Sequence, residues 1–121
     1  MVKITLLALL VSGLTLPATG ARHLTLVDSN PKEGAALAAA PTEIVLKFNE
    51  GLDPARRTIS LRGPAGAVTM GPVRSVADTM AFAASITGTV APGEYTVSWL
   101  AGAPGHASIR GRYSFTVSGE R

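Results

Sequence analysis

No cysteine occurs anywhere in the 121 residues. The chain therefore has no disulfide framework, and thiolate zinc sites, iron–sulfur clusters and type 1 copper centres are excluded with it. Histidine is almost as scarce, His23 and His106 being the whole supply. Aromatic residues make up only 5% of the chain, and Arg56, Arg57, Arg62, Arg74, Arg110 and Arg112 are scattered without aromatic interleaving. They read as solvated strand edges and turns, so no nucleic-acid partner is expected. No apolar run reaches the roughly 20 residues that a membrane anchor needs.

The apolar run that does occur is shorter and stands first. Lys3 gives a positive start, Ile4 to Leu16 is apolar, Pro17 breaks the run, and Ala18-Thr19-Gly20-Ala21 supplies small residues for a signal peptidase. Residues 1–21 are thus expected to be a secretion signal and the protein to be periplasmic, with no stable membrane span after cleavage. Processing after Ala21 leaves one domain of 100 residues, Arg22 to Arg121, and removes Lys3, lowering the net charge from +3 to +2. That length suffices for a single core.

Beyond the signal, apolar residues recur with period two and no helical stripe is persuasive. Ile44, Leu46 and Phe48 share one face, as do Ile59 and Leu61. So do Met80, Phe82, Ala84 and Ile86, then Tyr95, Val97 and Trp99, and finally Tyr113, Phe115 and Val117. Leu24 and Leu26 begin a further strand, and Val68 to Met70 makes a short one. Asn30-Pro31, Ala40-Pro41, Asp53-Pro54, Gly63-Pro64, Gly71-Pro72, Pro92-Gly93 and Pro104-Gly105 punctuate them. Ala35 to Ala40 reads as a loop. About seven short strands at this spacing predict an all-β, immunoglobulin-like sandwich, with Tyr95 and Trp99 facing its core.

The two histidines carry the chemistry. His23 lies just past the expected cleavage site, where an imidazole and a nearby backbone or terminal nitrogen make a good chelate for Cu(II). His106 sits in a Gly/Pro-rich turn between the last two strands. Four blocks around them resemble the CopC/PcoC family of periplasmic copper-binding proteins. They are His23-Leu24 with Ser29-Asn30-Pro31-Lys32-Glu33-Gly34, then Leu46-Lys47-Phe48-Asn49-Glu50-Gly51-Leu52, then Pro92-Gly93-Glu94-Tyr95-Thr96-Val97-Ser98-Trp99, and Gly111-Arg112-Tyr113-Ser114-Phe115-Thr116-Val117. The resemblance implies a Greek-key sandwich with a Cu(II) site built from His23, Glu50 and His106. Imidazoles suit copper, and a carboxylate offsets the charge of the ion.

Two features depart from the family pattern. The aspartate of its Asp-x-His pair falls on Pro104 here, and the stretch from His106 to Gly111 is one residue longer, leaving three side-chain ligands for the usual four. Processing after Arg22 makes His23 the first residue and gives an amine-plus-imidazole chelate. Processing after Ala21, which small-residue recognition favours, leaves Arg22 ahead of it; the terminal amine, the His23 amide and its imidazole then form the chelate, at the cost of an amide proton. The Cu(I)-binding methionine cluster of some family members has no counterpart, because Met70 and Met80 are scattered and suit core gaps.

These features predict a copper carrier serving copper tolerance or delivery, with an inner-membrane transporter of the CopD kind as partner. No recognisable nucleophile motif accompanies the histidines, so no enzyme activity is expected. Two other readings exist: a copper-dependent oxidative enzyme of the polysaccharide-cleaving kind, and a metal-free interaction module, for which the missing aspartate argues.

Overall fold

A computed structural model describes residues 23–76 and 79–119; the expected signal, residues 1–21, and Arg22 lie outside them. Nine strands run in chain order: β1 (Leu26–Asn30), β2 (Ala36–Leu37), β3 (Glu43–Phe48), β4 (Arg57–Gly63), β5 (Gly66–Val68), β6 (Arg74–Val76), β7 (Ala81–Ser85), β8 (Gly93–Ala101) and β9 (Ile109–Val117). One sheet has the order β1-β3-β7-β6 and the other β2-β9-β8-β4-β5. With β1, β3, β6 and β7 taken as A, B, D and E, and β4, β8 and β9 as C, F and G, this is the immunoglobulin arrangement of an ABED sheet facing a CFG sheet. Among the described residues no helix is long and apolar enough to cross a membrane.

The period-two stripes are the core. Ile44, Leu46 and Phe48 of β3 are fully buried, and Ile59, Leu61, Val97, Trp99, Phe115 and Val117 close the space from the opposite sheet. The rings of Phe48 and Phe82 stack at 5.7 Å, while Trp99 meets Phe48 edge-on at 5.1 Å and ties the two sheets together. Tyr95, near the start of β8, donates its hydroxyl to the Ala91 carbonyl at 2.7 Å. This is the tyrosine corner of immunoglobulin-like sandwiches.

The count of strands exceeds the expected seven for local reasons. β2 lies inside the segment read as a loop and pairs in parallel with Thr116 and Val117 of β9. β6 adds three residues to the edge of β7. The short strand foreseen at Val68 to Met70 is displaced to Gly66–Val68, and Met70 makes only an isolated bridge to Ile86. Ala81 and Ala83 are buried although they alternate with the core stripe. β7 is paired on both sides, so Ala83 sits between Val45 and Arg74, and Ala81 between Lys47 and Val76.

Candidate metal centre

Three segments converge at one end of the sandwich: the residues ahead of β1, the β3–β4 connection and the β8–β9 connection. The β3–β4 connection begins at buried Phe48, whose amide donates to the Met80 carbonyl at 2.8 Å. It is pinned again at buried Leu52, whose amide donates to the Thr79 carbonyl at 2.9 Å. Glu50 lies between these two anchors. Across from it, the Asp53 amide donates to the Gly102 carbonyl at 2.8 Å and joins the β3–β4 and β8–β9 connections.

Pro104 and Gly105 shape the second of these. The His106 amide donates to the Ala103 carbonyl at 3.0 Å, and Gly105 has φ +81°. Proline followed by a residue with positive φ is the signature of a type II turn, and it places His106 at the turn's last position. Pro104 therefore has no donor side chain but fixes the backbone that presents the His106 imidazole.

The two segments bring Glu50 and His106, 56 residues apart, into contact: His106 Nε2 lies 3.2 Å from Glu50 Oε1. Both side chains are about one-quarter exposed, 27% for His106 and 26% for Glu50. The other carboxylate oxygen, Oε2, is buried and no donor among the described residues reaches it. Leaving a buried acceptor unpaired costs about 1–3 kcal/mol, more for a charged group. An anionic oxygen beside an imidazole nitrogen, both turned to a partly open pole, is a donor set that suits a divalent first-row cation.

His23 reaches the same pole through its backbone. The Asn49 side chain donates Nδ2–H to the His23 carbonyl at 2.9 Å and accepts the Thr25 amide at 2.9 Å. The Asn49 amide also donates to the Thr25 carbonyl at 3.1 Å, and buried Leu24 anchors the segment. His23 is thereby tied to the residue preceding Glu50, while its imidazole stays exposed. Among the described residues no three His, Asp or Glu side chains gather as a metal-holding group. The structure joins Glu50 to His106 and brings only the backbone of His23 beside them. Asp28, the carboxylate nearest His23 in sequence, is paired with Lys32 at 2.7 Å.

Two residues of this pole escaped sequence reasoning. Nothing in the sequence singles out Asn49 within its motif block or Arg56 among the scattered arginines. Only their partners, 24 or more positions away, reveal them.

The fold is an all-β, immunoglobulin-like sandwich whose end loops present a carboxylate and an imidazole side by side. A CopC domain model matches residues 26–118, and the chain belongs to the CopC family. Protein YobA of Escherichia coli K12 is 31% identical over 114 residues, spanning 92% of this chain and 90% of that protein, and protein YobA of Shigella flexneri matches equally. PcoC, a methionine-rich copper resistance protein from Escherichia coli, superposes with a TM-score of 0.71 at 29% identity over 80% of this chain and 100% of its own. CopC from Methylosinus trichosporium OB3b gives the same TM-score at 28% identity, covering 80% of this chain and 95% of that one.

Proposed function

We propose that this protein is a periplasmic copper carrier that holds Cu(II) through Glu50, His106 and His23 and serves copper tolerance or delivery. The observation that carries the reading is the Glu50–His106 pair at 3.2 Å, with Glu50 Oε2 buried and without a donor. A cation at this pole supplies the charge partner that Oε2 lacks. The ion is cargo, and the chain's task is to bind it. Cu(II) stands highest in affinity among divalent first-row ions for such ligands.

His23 completes the set. Asn49 fixes its carbonyl next to Glu50, so its imidazole and the nitrogen ahead of it need only side-chain and terminal freedom to join. Removal of residues 1–21 creates that terminus and leaves residues 22–121 as the working domain. Soft Cu(I) ligation is not part of the proposal: Met70 packs against the core, and Met70 and Met80 are the described methionines. An inner-membrane transporter of the CopD kind is the partner to which the ion would pass.

Calorimetric titration of Cu(II) into the purified, processed protein tests this. One ion per chain at sub-micromolar affinity is expected, weakened at least tenfold in Glu50→Gln and His106→Ala. Binding no tighter than micromolar, or unchanged in His106→Ala, overturns the proposal and leaves a metal-free interaction module. The mass of the mature chain identifies its first residue.

A further inference from the structure

His106 lies in a connection with no regular structure, between the end of β8 at Ala101 and the start of β9 at Ile109. A ligand on such a loop is useful only if the loop is held. One side chain does much of this. Arg56 Nη2 donates to the Ala103 carbonyl at 2.7 Å, Nη1 donates to the His106 carbonyl at 2.9 Å, and the same Nη1 lies 3.2 Å from Ser108 Oγ. These contacts bracket the turn, and one of them grips His106 itself.

The base of the clamp is also fixed. Arg56 Nε donates to Asp53 Oδ2 at 3.0 Å, Asp53 Oδ1 accepts the Ala55 amide at 2.9 Å, and the Arg56 amide donates to the Asp53 carbonyl at 3.0 Å. Gly102 makes room for the fork: a Cβ there would lie 2.7 Å from Arg56 Cζ and 2.8 Å from Nε and Nη1. The planar guanidinium holds five donors in a rigid fork that reaches spread acceptors at once, whereas a lysine ammonium gathers three donors on a single atom at the end of a flexible stem.

We infer that Arg56 is a positioning residue: it holds the 103–108 connection so that the His106 imidazole meets Glu50 in a geometry ready for the ion. The inference rests on the copper reading above for its metal arm, and on the loop contacts alone for its metal-free arm. A cation near a cation site works against binding electrostatically, and Asp53 offsets it. Electrostatics alone therefore predicts that removing the Arg56 charge tightens Cu(II) binding, whereas the clamp predicts the opposite.

The test compares wild type with Arg56→Gln, Arg56→Lys and Gly102→Ala. Amide exchange at His106 and the His106 ring resonances are followed by NMR in the metal-free proteins, with Cu(II) affinity measured in parallel. All three variants are expected to keep a dispersed, folded spectrum, lose protection at His106 and bind Cu(II) roughly 10–100-fold more weakly, as supporting shells of metal sites do. Arg56→Lys keeps the charge, so its failure to rescue separates geometry from electrostatics. Gly102→Ala removes no donor and carries the test if Arg56→Gln does not fold.

Unchanged His106 exchange and ring resonances in these variants overturn the inference. So does Cu(II) affinity in Arg56→Gln equal to or tighter than wild type. A wild type that takes up no Cu(II) overturns the copper reading and, with it, the part of Arg56 in binding; that result is recognised because the metal-free arm reports on the loop regardless.

Discussion

Asp53 uses both carboxylate oxygens and its backbone carbonyl as acceptors within one turn, and its titration follows from the carboxylate contacts. The Ala55 amide, and after it the Arg56 side chain, hold its carboxyl below the ordinary value of 3.8. The unfolded chain then binds the proton more readily than the native one. The contribution of Asp53 to stability is complete above that ordinary value and is lost as the pH falls through the lower folded-state value. Asp53→Asn is expected to be less stable than wild type near neutrality, with the gap closing below about pH 4; urea midpoints from neutral to acid pH check this, and a pH-independent gap contradicts it. At this scale the sequence marked Glu50 and His106 by residue type and motif. It did not mark Arg56, because a guanidinium in a Pro-rich turn looks the same whether it faces water or three acceptors. Its role appears only with Ala103, His106 and Ser108 in place, 47 to 52 positions further on.

Strands were legible where alternation runs long enough to mark a face. β3, β4, β8 and β9 all follow the predicted stripes, and Tyr95 and Trp99 are buried as expected. β2 and β6, with two and three residues, exist through their partners and have too few side chains to show a period. Val27 is a related case: the register between β1 and β3 shifts between Leu26 and Asp28, and this bulge leaves Val27 exposed. Pairing between β8 and β9 sets Trp99 opposite Gly111, and a Cβ on Gly111 would lie 2.3 Å from Trp99 Cζ2. Gly111→Ala must displace the indole that braces Phe48, the residue leading into Asn49 and Glu50. A loss of about 1–3 kcal/mol is expected from overpacking. Gly71→Ala, whose Cβ meets nothing nearer than 3.7 Å, is the control and should stay within about 0.5 kcal/mol of wild type. Chemical denaturation of both variants decides; equal losses would refute the packing argument.

The whole molecule is a two-sheet sandwich without a disulfide, so its stability rests on the core and on whatever binds the native state. Reductant is expected to leave unfolding unchanged. If Cu(II) binds at the pole, a free concentration one hundred times Kd adds about 2.7 kcal/mol to the native state, raising Tm by roughly 10–20 °C for a domain of this size. The shift should largely vanish in His106→Ala; a wild type whose Tm does not respond to Cu(II) contradicts the carrier reading. Alternation is a local property of the chain, and so by itself the sequence determined which residues face the core, where the turns fall and which side chains have the chemistry of ligands. Tertiary structure alone decided which of those side chains meet. Strand order brings the β3–β4 and β8–β9 connections to one pole, the type II turn aims His106 at Glu50, and Asn49 ties the His23 backbone alongside while leaving its ring free. Contacts across 24 to 56 positions depend on how two sheets pack, and no pattern within a single segment encodes them.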